Sequence, residues 1–158
     1  MSILFNLVSF SAHANTPDDQ QPVHISADSL DIQDQKGISV YKGSVEITQG
    51  SLTLNGDTIT IHHPDRALLS IDVIGQQARF KRFDVEEQAW IKGQADSINY
   101  NAQKKTLLLI GNAKVEQPGK HLITGPKLFY DTLNKTLKAQ STPQEKKRIS
   151  VTLMPEAK

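Results

Sequence analysis

The chain has 158 residues, a formal net charge of +1, 37% hydrophobic and 6% aromatic residues, and no cysteine. This length suits one domain whose core needs no disulfide. The near-zero net charge and the few aromatic side chains argue against a nucleic-acid partner, and the lack of cysteine excludes disulfides and thiolate metal sites.

The first fourteen residues have features of a secretory signal peptide. A short apolar run from Ile3 to Phe10 precedes Ala12-His13-Ala14, which fits the small-x-small cleavage pattern. No Lys or Arg precedes the run, so we expect a truncated signal peptide at 1–14, with a mis-started N-terminus as the alternative. The run is too short to span a bilayer. We expect an exported protein with a flexible, polar N-terminus at 15–22.

From residue 23 onward, apolar and polar residues alternate in short runs. Val45 and Ile47 alternate with polar residues, and so do Ile59 and Ile61. Runs of this kind, rich in β-branched residues, are typical of strands with one dry and one wet face. No stretch of ten or more residues has a 3.6-residue period. We therefore predict a single all-β domain at 23–155, built from many short antiparallel strands, and a tail at 156–158.

Two short motifs recur along the chain with the same offset. In the first, a small residue, an Asp or Pro and a polar residue precede alternating apolar positions; it spans 27–32, 56–61, 95–100 and 125–130. The second begins at Gly43 and again at Gly111. The separation of Asp28 from Asp96 equals that of the two glycines, which indicates an internal duplication.

Several residue groups could carry chemistry but have simpler interpretations. Asp28, Asp57 and Asp96 recur in register, yet neither the glycine-rich calcium repeat nor an EF-hand loop is present. We expect each Asp to cap or bend the chain at a strand entry. His62 and His63 are adjacent, so in a strand they would point to opposite faces and could not share a metal. No nucleophile elbow or phosphate loop appears, so we expect no catalytic residue, metal or cofactor.

Positive charges cluster at Arg79, Lys81 and Arg82 and at Lys104 and Lys105. One interpretation is a solvated face. The other is a set of cations that contact anionic head groups at the rim of an apolar site.

The predicted strands at the two ends of the domain lack the usual protection of sheet edges. The strand with Val23 and Ile25, and the strand with Ile149, Val151 and Leu153, contain neither an internal proline nor an inward charge. We expect these edges to pair with another chain.

Alternation assigns a set of apolar residues to the interior of two packed sheets. That interior is either a filled core or a groove for acyl chains, and composition alone does not decide between them. The set comprises Ile25, Leu30, Ile32, Val45, Ile47, Leu54, Ile59, Ile61, Phe80, Ile98, Tyr100, Val115, Leu128 and Tyr130.

Several segments in order along the chain resemble the OstA-like family. They are 21–28, 41–50, 93–100, 109–113 and 148–155. The resemblance implies a twisted antiparallel β-jelly roll, folded like a taco, with an apolar lumen and open terminal edges. It also implies a non-enzymatic periplasmic protein that binds lipid A acyl chains and passes lipopolysaccharide from the inner to the outer membrane through head-to-tail assembly.

The resemblance further implies partners and ligand contacts. The partners would be lipopolysaccharide, other copies of the chain, an inner-membrane protein of the same fold and an outer-membrane barrel assembly. Ligand-contacting positions of the family match Val23, Ile25, Phe80 and Tyr100, while a position that is basic in the family falls on His63. The stretch 83–88 departs from the family pattern, which leaves its strand register open. There are two alternative functions. One is an exported structural scaffold or adaptor without lipid, and the other is an exported carbohydrate-active enzyme.

Overall fold

The computed structural model describes residues 16–117, 119–144 and 146–155. The signal peptide predicted at 1–14 and the tail predicted at 156–158 lie outside the described residues. Within these ranges no helix combines the length and the apolar character that crossing a membrane requires.

The described chain folds into strands joined by tight turns and three short 3-10 segments, Asp18–Gln20, Asp34–Lys36 and Pro64–Arg66. The strands are β1 (Val23–Ser26), β2 (Ser29–Gln33), β3 (Ile38–Gln49), β4 (Leu52–His62), β5 (Ser70–Asp84), β6 (Ala89–Asn101), β7 (Thr106–Gln117), β8 (His121–Asp131), β9 (Thr136–Gln140) and β10 (Ser150–Leu153).

These strands form one sheet rather than two separate ones. From β3 to β8 each strand pairs antiparallel with the next. At one edge β1 and β2 both pair with β3, and at the other β9 and β10 both pair with β8. The predicted all-β fold is confirmed. The sheet does not close, so its two edges are formed by the strands from the two ends of the domain.

The central strands are longer than the alternating runs predicted. Strands β3 to β8 have 11 to 15 residues each. A β-bulge breaks each ladder between them once, and a bulge both interrupts the alternation and bends the strand. The sequence pattern therefore divides each bent strand into two short ones. The breaks lie at Lys42/Val45, Asn55/Thr58, Ile74/Ala78, Gln94/Ser97 and Ile110/Ala113. We term this row of bulges the crease.

The sheet is folded over at the crease into two leaves. Leaf 1 contains β1, β10 and the segments 45–55, 78–94, 113–117 and 119–125, and leaf 2 contains β2, β9 and the remaining segments of β3 to β8. Side chains in both leaves are fully buried, which in a single sheet requires one leaf to cover the other. Phe80 of leaf 1 and Tyr130 of leaf 2 stack with their ring centroids 6.5 Å apart.

The repeated motifs meet at the crease. Asp28 packs against Gly43, and Asp96 packs against Gly111. Both glycines have positive φ, 86° and 81°, and a Cβ at either would lie 2.2 or 2.3 Å from the Asp carboxylate. The first sequence motif thus supplies the Asp, and the second supplies the Gly, of one contact between neighbouring strands.

The predicted position of the Asp residues at strand entries is wrong for two of them. Asp57 and Asp96 lie inside β4 and β6, where those strands bend. The Asp57 carboxylate accepts a hydrogen bond of 3.0 Å from the Gln76 N–H, on the next strand. The Asp57 carboxylate thus satisfies a backbone donor where the bulge interrupts the ladder, whereas the Asp96 carboxylate accepts from the side-chain amide of Asn112 at 3.1 Å.

Replacing Gly111 with alanine should destabilise the fold more than replacing Gly119. Their φ angles, 81° and 79°, are similar, so the backbone penalty is about 1–2 kcal/mol in both. Only at Gly111 would the new Cβ meet Asp96, at 2.3 Å, whereas nothing lies within 4 Å at Gly119. Urea unfolding followed by circular dichroism measures both free energies of unfolding. Equal losses would contradict the role given to the Asp–Gly contact.

Candidate functional site

The two leaves enclose an apolar interior next to the crease. Most of the residues assigned to the interior from the pattern are buried there, and Ile25 packs partly buried against them. The buried members are Val45, Ile47, Leu54, Ile59, Ile61, Phe80, Ile98, Tyr100, Val115, Leu128 and Tyr130. Sequence reasoning left out Ile71, Val73, Leu107 and Leu109, which are equally buried. Alternation could have found Ile71, which lies between Ser70 and Asp72, but not Leu107 and Leu109, which lie within the continuous apolar run 107–110.

Three residues expected in the interior are exposed instead. Val23, Leu30 and Ile32 are 41%, 50% and 53% exposed. The register places Leu30 opposite Tyr41 and Ile32 opposite Ser39, whose side chains face the interior. Leu30 and Ile32 therefore lie on the inner face, but on an edge strand with no strand beyond it. They form an apolar lip at the open edge.

The opposite edge has a similar lip. Val151 pairs with Ile123 and Leu153 pairs with His121, and Ile123 packs against the core. Val151 and Leu153 are 53% and 74% exposed. Apolar side chains of the inner face are thus in contact with solvent at both ends of the fold.

The side of the fold opposite the crease is its mouth, where the turns at the free ends of the two leaves face each other. A cavity of about 490 Å³ lies there. Leu52 and Phe83 of leaf 1, Tyr100 and Lys105 of leaf 2, and the segment from Thr16 to Asp19 line it. Its volume is within the range of small-ligand sites, roughly 300–1,000 Å³.

The inner face changes from apolar to charged as it approaches the mouth. Along β5, Ala78 and Phe80 are buried in the interior, and the next inward positions are Arg82 and Asp84. The basic cluster seen in the sequence is therefore divided, because strand alternation turns Arg79 outward and Arg82 inward. Lys105 lies at the matching end of leaf 2, in the turn between β6 and β7, and lines the same cavity.

Polar contacts join the two leaves across the mouth. Arg82 Nη1 donates to the Thr132 carbonyl at 3.2 Å, and Lys135 Nζ contacts Asp84 at 3.1 Å and Glu86 at 2.6 Å. Burial by itself would raise the pKa of Asp84, but hydrogen bonds from the Glu87 amide and from Lys135 outweigh it and lower the pKa. Asp84 therefore stays ionised above its ordinary pKa of 3.8 and keeps its contact with Lys135.

The segment before β1 also contacts the mouth, although its composition predicts flexibility. The Ser51 N–H and hydroxyl donate to the Asp18 carboxylate at 2.8 and 2.6 Å. Arg82 Nε lies 3.6 Å from Asp18, and Lys105 Nζ lies 3.6 Å from Asp19. Two acidic side chains thus lie against two cations of the cavity.

Two tyrosines mark the boundary between the apolar interior and the mouth. Burial raises the pKa of Tyr130, and the neighbouring Arg82 guanidinium opposes this effect. Burial likewise raises the pKa of Tyr100. Among the described side chains, the Tyr130 hydroxyl is buried with no partner at hydrogen-bond geometry. Both phenols are neutral at physiological pH, so the cations of the mouth are the groups able to attract an anion.

The adjacent histidines have separate partners. His62 Nε2 lies 2.9 Å from Asp72, and His63 Nε2 lies 2.7 Å from the Ser39 hydroxyl. In the part of the chain that the structure describes, no three His, Asp or Glu side chains are grouped so that they could hold a metal ion.

An apolar interior that ends in a charged mouth matches the two parts of an amphiphile. Apolar chains would gain free energy in the interior, and an anionic head would meet Arg82 and Lys105 at the mouth.

Comparison with known proteins points to the same chemistry. Residues 24–136 match the family model described as LptA/(LptD N-terminal domain) LPS transport protein. The chain is 29% identical to the lipopolysaccharide export system protein LptH of Pseudomonas aeruginosa, covering 96% of this chain and 90% of that protein. It is 30% identical to the lipopolysaccharide export system protein LptA of Escherichia coli K12, covering 93% and 78%.

A solved structure supports the relationship. The crystal structure of LptH, described as the LptA homologous periplasmic component of the lipopolysaccharide transport device of Pseudomonas aeruginosa, superposes with a TM-score of 0.79 at 30% sequence identity. The match covers 87% of this chain and 99% of that one. The folded sheet, the matched residues and these relatives together show that the chain belongs to the OstA-like family of LptA and LptD N-terminal-domain lipopolysaccharide transport proteins.

Proposed function

We propose that this chain is a periplasmic, non-enzymatic carrier of lipopolysaccharide. It binds acyl chains between its two leaves, leaves the saccharide at the mouth, and passes the lipid from the inner to the outer membrane within a head-to-tail assembly. The observation that carries this proposal is the apolar inner face, which reaches solvent at both open edges and ends in a charged mouth. The names of the family and its relatives support the lipid and the export role.

The free energy for binding comes from the acyl chains. Each buried methylene contributes about 0.8 kcal/mol, so a few methylenes per chain suffice for useful affinity. Moving a chain from one apolar position to an equivalent one changes little free energy, which suits transfer along the inner face.

The interior next to the crease is filled by its own side chains. Leu54, Ile59 and Val73, for example, have no exposed surface. Lipid therefore enters at the mouth and edges, and deeper binding requires the leaves to separate. The crease suits such a movement because its bulges already interrupt the ladders. The filled region is also the observation that favours the alternative function, a structural scaffold or adaptor.

The two edges are suited to each other. Both have unpaired backbone groups and an apolar lip, the surface that strand addition between chains uses. Their charges are opposite. Exposed acidic residues accompany the β2 edge, and exposed basic residues accompany the β9 and β10 edge. The acidic residues are Asp28, Asp31 and Asp34, which outnumber the exposed Lys36 at the same edge, and the basic residues are Lys138, Lys146, Lys147 and Arg148.

Such a contact joins different surfaces of successive copies, so it extends into a filament rather than closing into a dimer. The same edges would receive an inner-membrane partner of this fold at one end of the assembly and the outer-membrane barrel assembly at the other.

A photo-crosslinking amino acid placed at Phe80 or Tyr100 should form adducts with lipopolysaccharide. Both side chains lie on the inner face. Lys81 is the matched control, because it follows Phe80 in β5 but faces outward and is exposed. Mass spectrometry after irradiation identifies the adducts. Adducts at Lys81 equal to those at Phe80 and Tyr100, or no adduct at any of the three, would contradict the carrier and favour the scaffold.

Introducing Val151→Asp together with Leu153→Asp should weaken self-association by about tenfold or more, because an inward charge on an edge strand must be desolvated when the edge is covered. Sedimentation velocity over a concentration series measures it. The monomer should stay folded, since both residues are exposed, 53% and 74%.

The control for this experiment places the same two charges on the other face of the strand, as Ser150→Asp with Thr152→Asp. These residues are also exposed. An equal loss in both variants would indicate a charge effect, and no loss in the first variant would show that β10 does not take part in assembly.

A further inference from the structure

Three hydrogen-bond donors converge on one carboxylate at the mouth. The Ser51 N–H and hydroxyl donate to Asp18 at 2.8 and 2.6 Å, and Arg82 Nε lies 3.6 Å from the same group. The Phe83 N–H donates to the Ser51 oxygen at 3.1 Å, which directs the Ser51 hydrogen toward Asp18. A backbone N–H, a hydroxyl and a guanidinium are a donor set that proteins use for phosphate oxygens.

Arg82 and the nearby Lys105 are held less closely by acidic partners than Lys135, the third cation of the mouth. Arg82 and Lys105 lie 3.6 Å from the carboxylates of Asp18 and Asp19, longer than the roughly 2.7–2.9 Å of a charge-assisted hydrogen bond. Lys135 lies 2.6 Å from Glu86. Arg82 and Lys105 are therefore able to gain a closer anionic partner, whereas Lys135 already has one.

The cluster opens onto the apolar interior. Ser51, Arg82 and Lys105 line the same cavity as Leu52 and Tyr100. A group bound to the donors would therefore have apolar surface on its inner side, where the leaves meet.

We propose that Ser51, Arg82 and Lys105 form a binding site for a phosphate group on the head of the amphiphile, and that Asp18 and Asp19 compete with it for the same donors. The inference rests on the proposed function, because the acyl chains in the interior bring the phosphate to the mouth. The segment Thr16–Gln20 then acts as an internal competitor that is displaced when a phosphorylated head group binds.

The test compares two lipids that differ only in phosphate: lipid A and its dephosphorylated form, each in detergent micelles, titrated by calorimetry. Asp18→Asn with Asp19→Asn should tighten binding of the phosphorylated lipid by about tenfold, because the competing charges are removed. Arg82→Gln and Lys105→Gln should each weaken it by a similar factor. The affinity for the dephosphorylated lipid should not change in any variant.

The matched control is Glu46→Gln with Glu116→Gln, which removes the same charge from the outer face of leaf 1 and should leave both affinities unchanged. Arg82 also donates a hydrogen bond to the Thr132 carbonyl, so Arg82→Gln could prevent folding. In that case Lys105→Gln still tests the site. Variants with equal effects on the two lipids, or with none, overturn the proposal.

The remaining outcomes are equally decisive. If the wild-type chain binds both lipids but the mouth variants do not discriminate between them, the phosphate site is overturned and the carrier function stands. If it binds neither lipid, both are overturned. A Ser51 amide resonance that moves with inorganic phosphate but not with the phosphorylated lipid would assign the site to free phosphate and also overturn the proposal.

Discussion

The contact between an Asp carboxylate and a left-handed glycine on the next strand is the local interaction on which the fold depends. A single antiparallel sheet with one apolar face needs a second layer, and the described chain has no α-helix to supply one. The sheet supplies its own layer by bending every central strand at the crease. Gly43 and Gly111 allow the bend, and Asp28 and Asp96 fill the space that a side chain at either glycine would occupy.

The candidate site follows from the same bend. Because each half of a central strand runs from the crease to a turn, residues of one inner face pass from the covered interior to the solvated mouth. Positions near the crease are apolar, and the positions nearest the turns include Arg82, Asp84 and Lys105. Arg82 and Lys105 remain partly hydrated there, and the buried Asp84 is compensated by its contact with Lys135. The amphipathic cavity is therefore a property of the folded sheet as a whole.

Folding over leaves the two edges of the sheet open, and this connects the fold to the proposed assembly. The apolar lips of β1, β2 and β10 lie on the inner face but have no strand beyond them. A neighbouring copy would cover the lips, continue the sheet and extend the apolar interior from one chain to the next. The open edges, a hazard for an isolated protein, are in this interpretation the surfaces through which lipid passes.

The sequence by itself determined the all-β class, the strands that end the domain and the direction in which most side chains face. It could do so because period-2 alternation is a local property, and Ile59 and Ile61, for example, are buried where the pattern places them. It also marked the crease through the recurring Asp and Gly, without revealing that they touch. Only the tertiary structure decided that pairs of short runs are single bent strands, that Leu30 remains exposed at an edge, and that Asp18, Ser51 and Arg82 meet. Alternation along a strand shows which face of the sheet a side chain takes. It carries no information about which distant segments meet at the mouth.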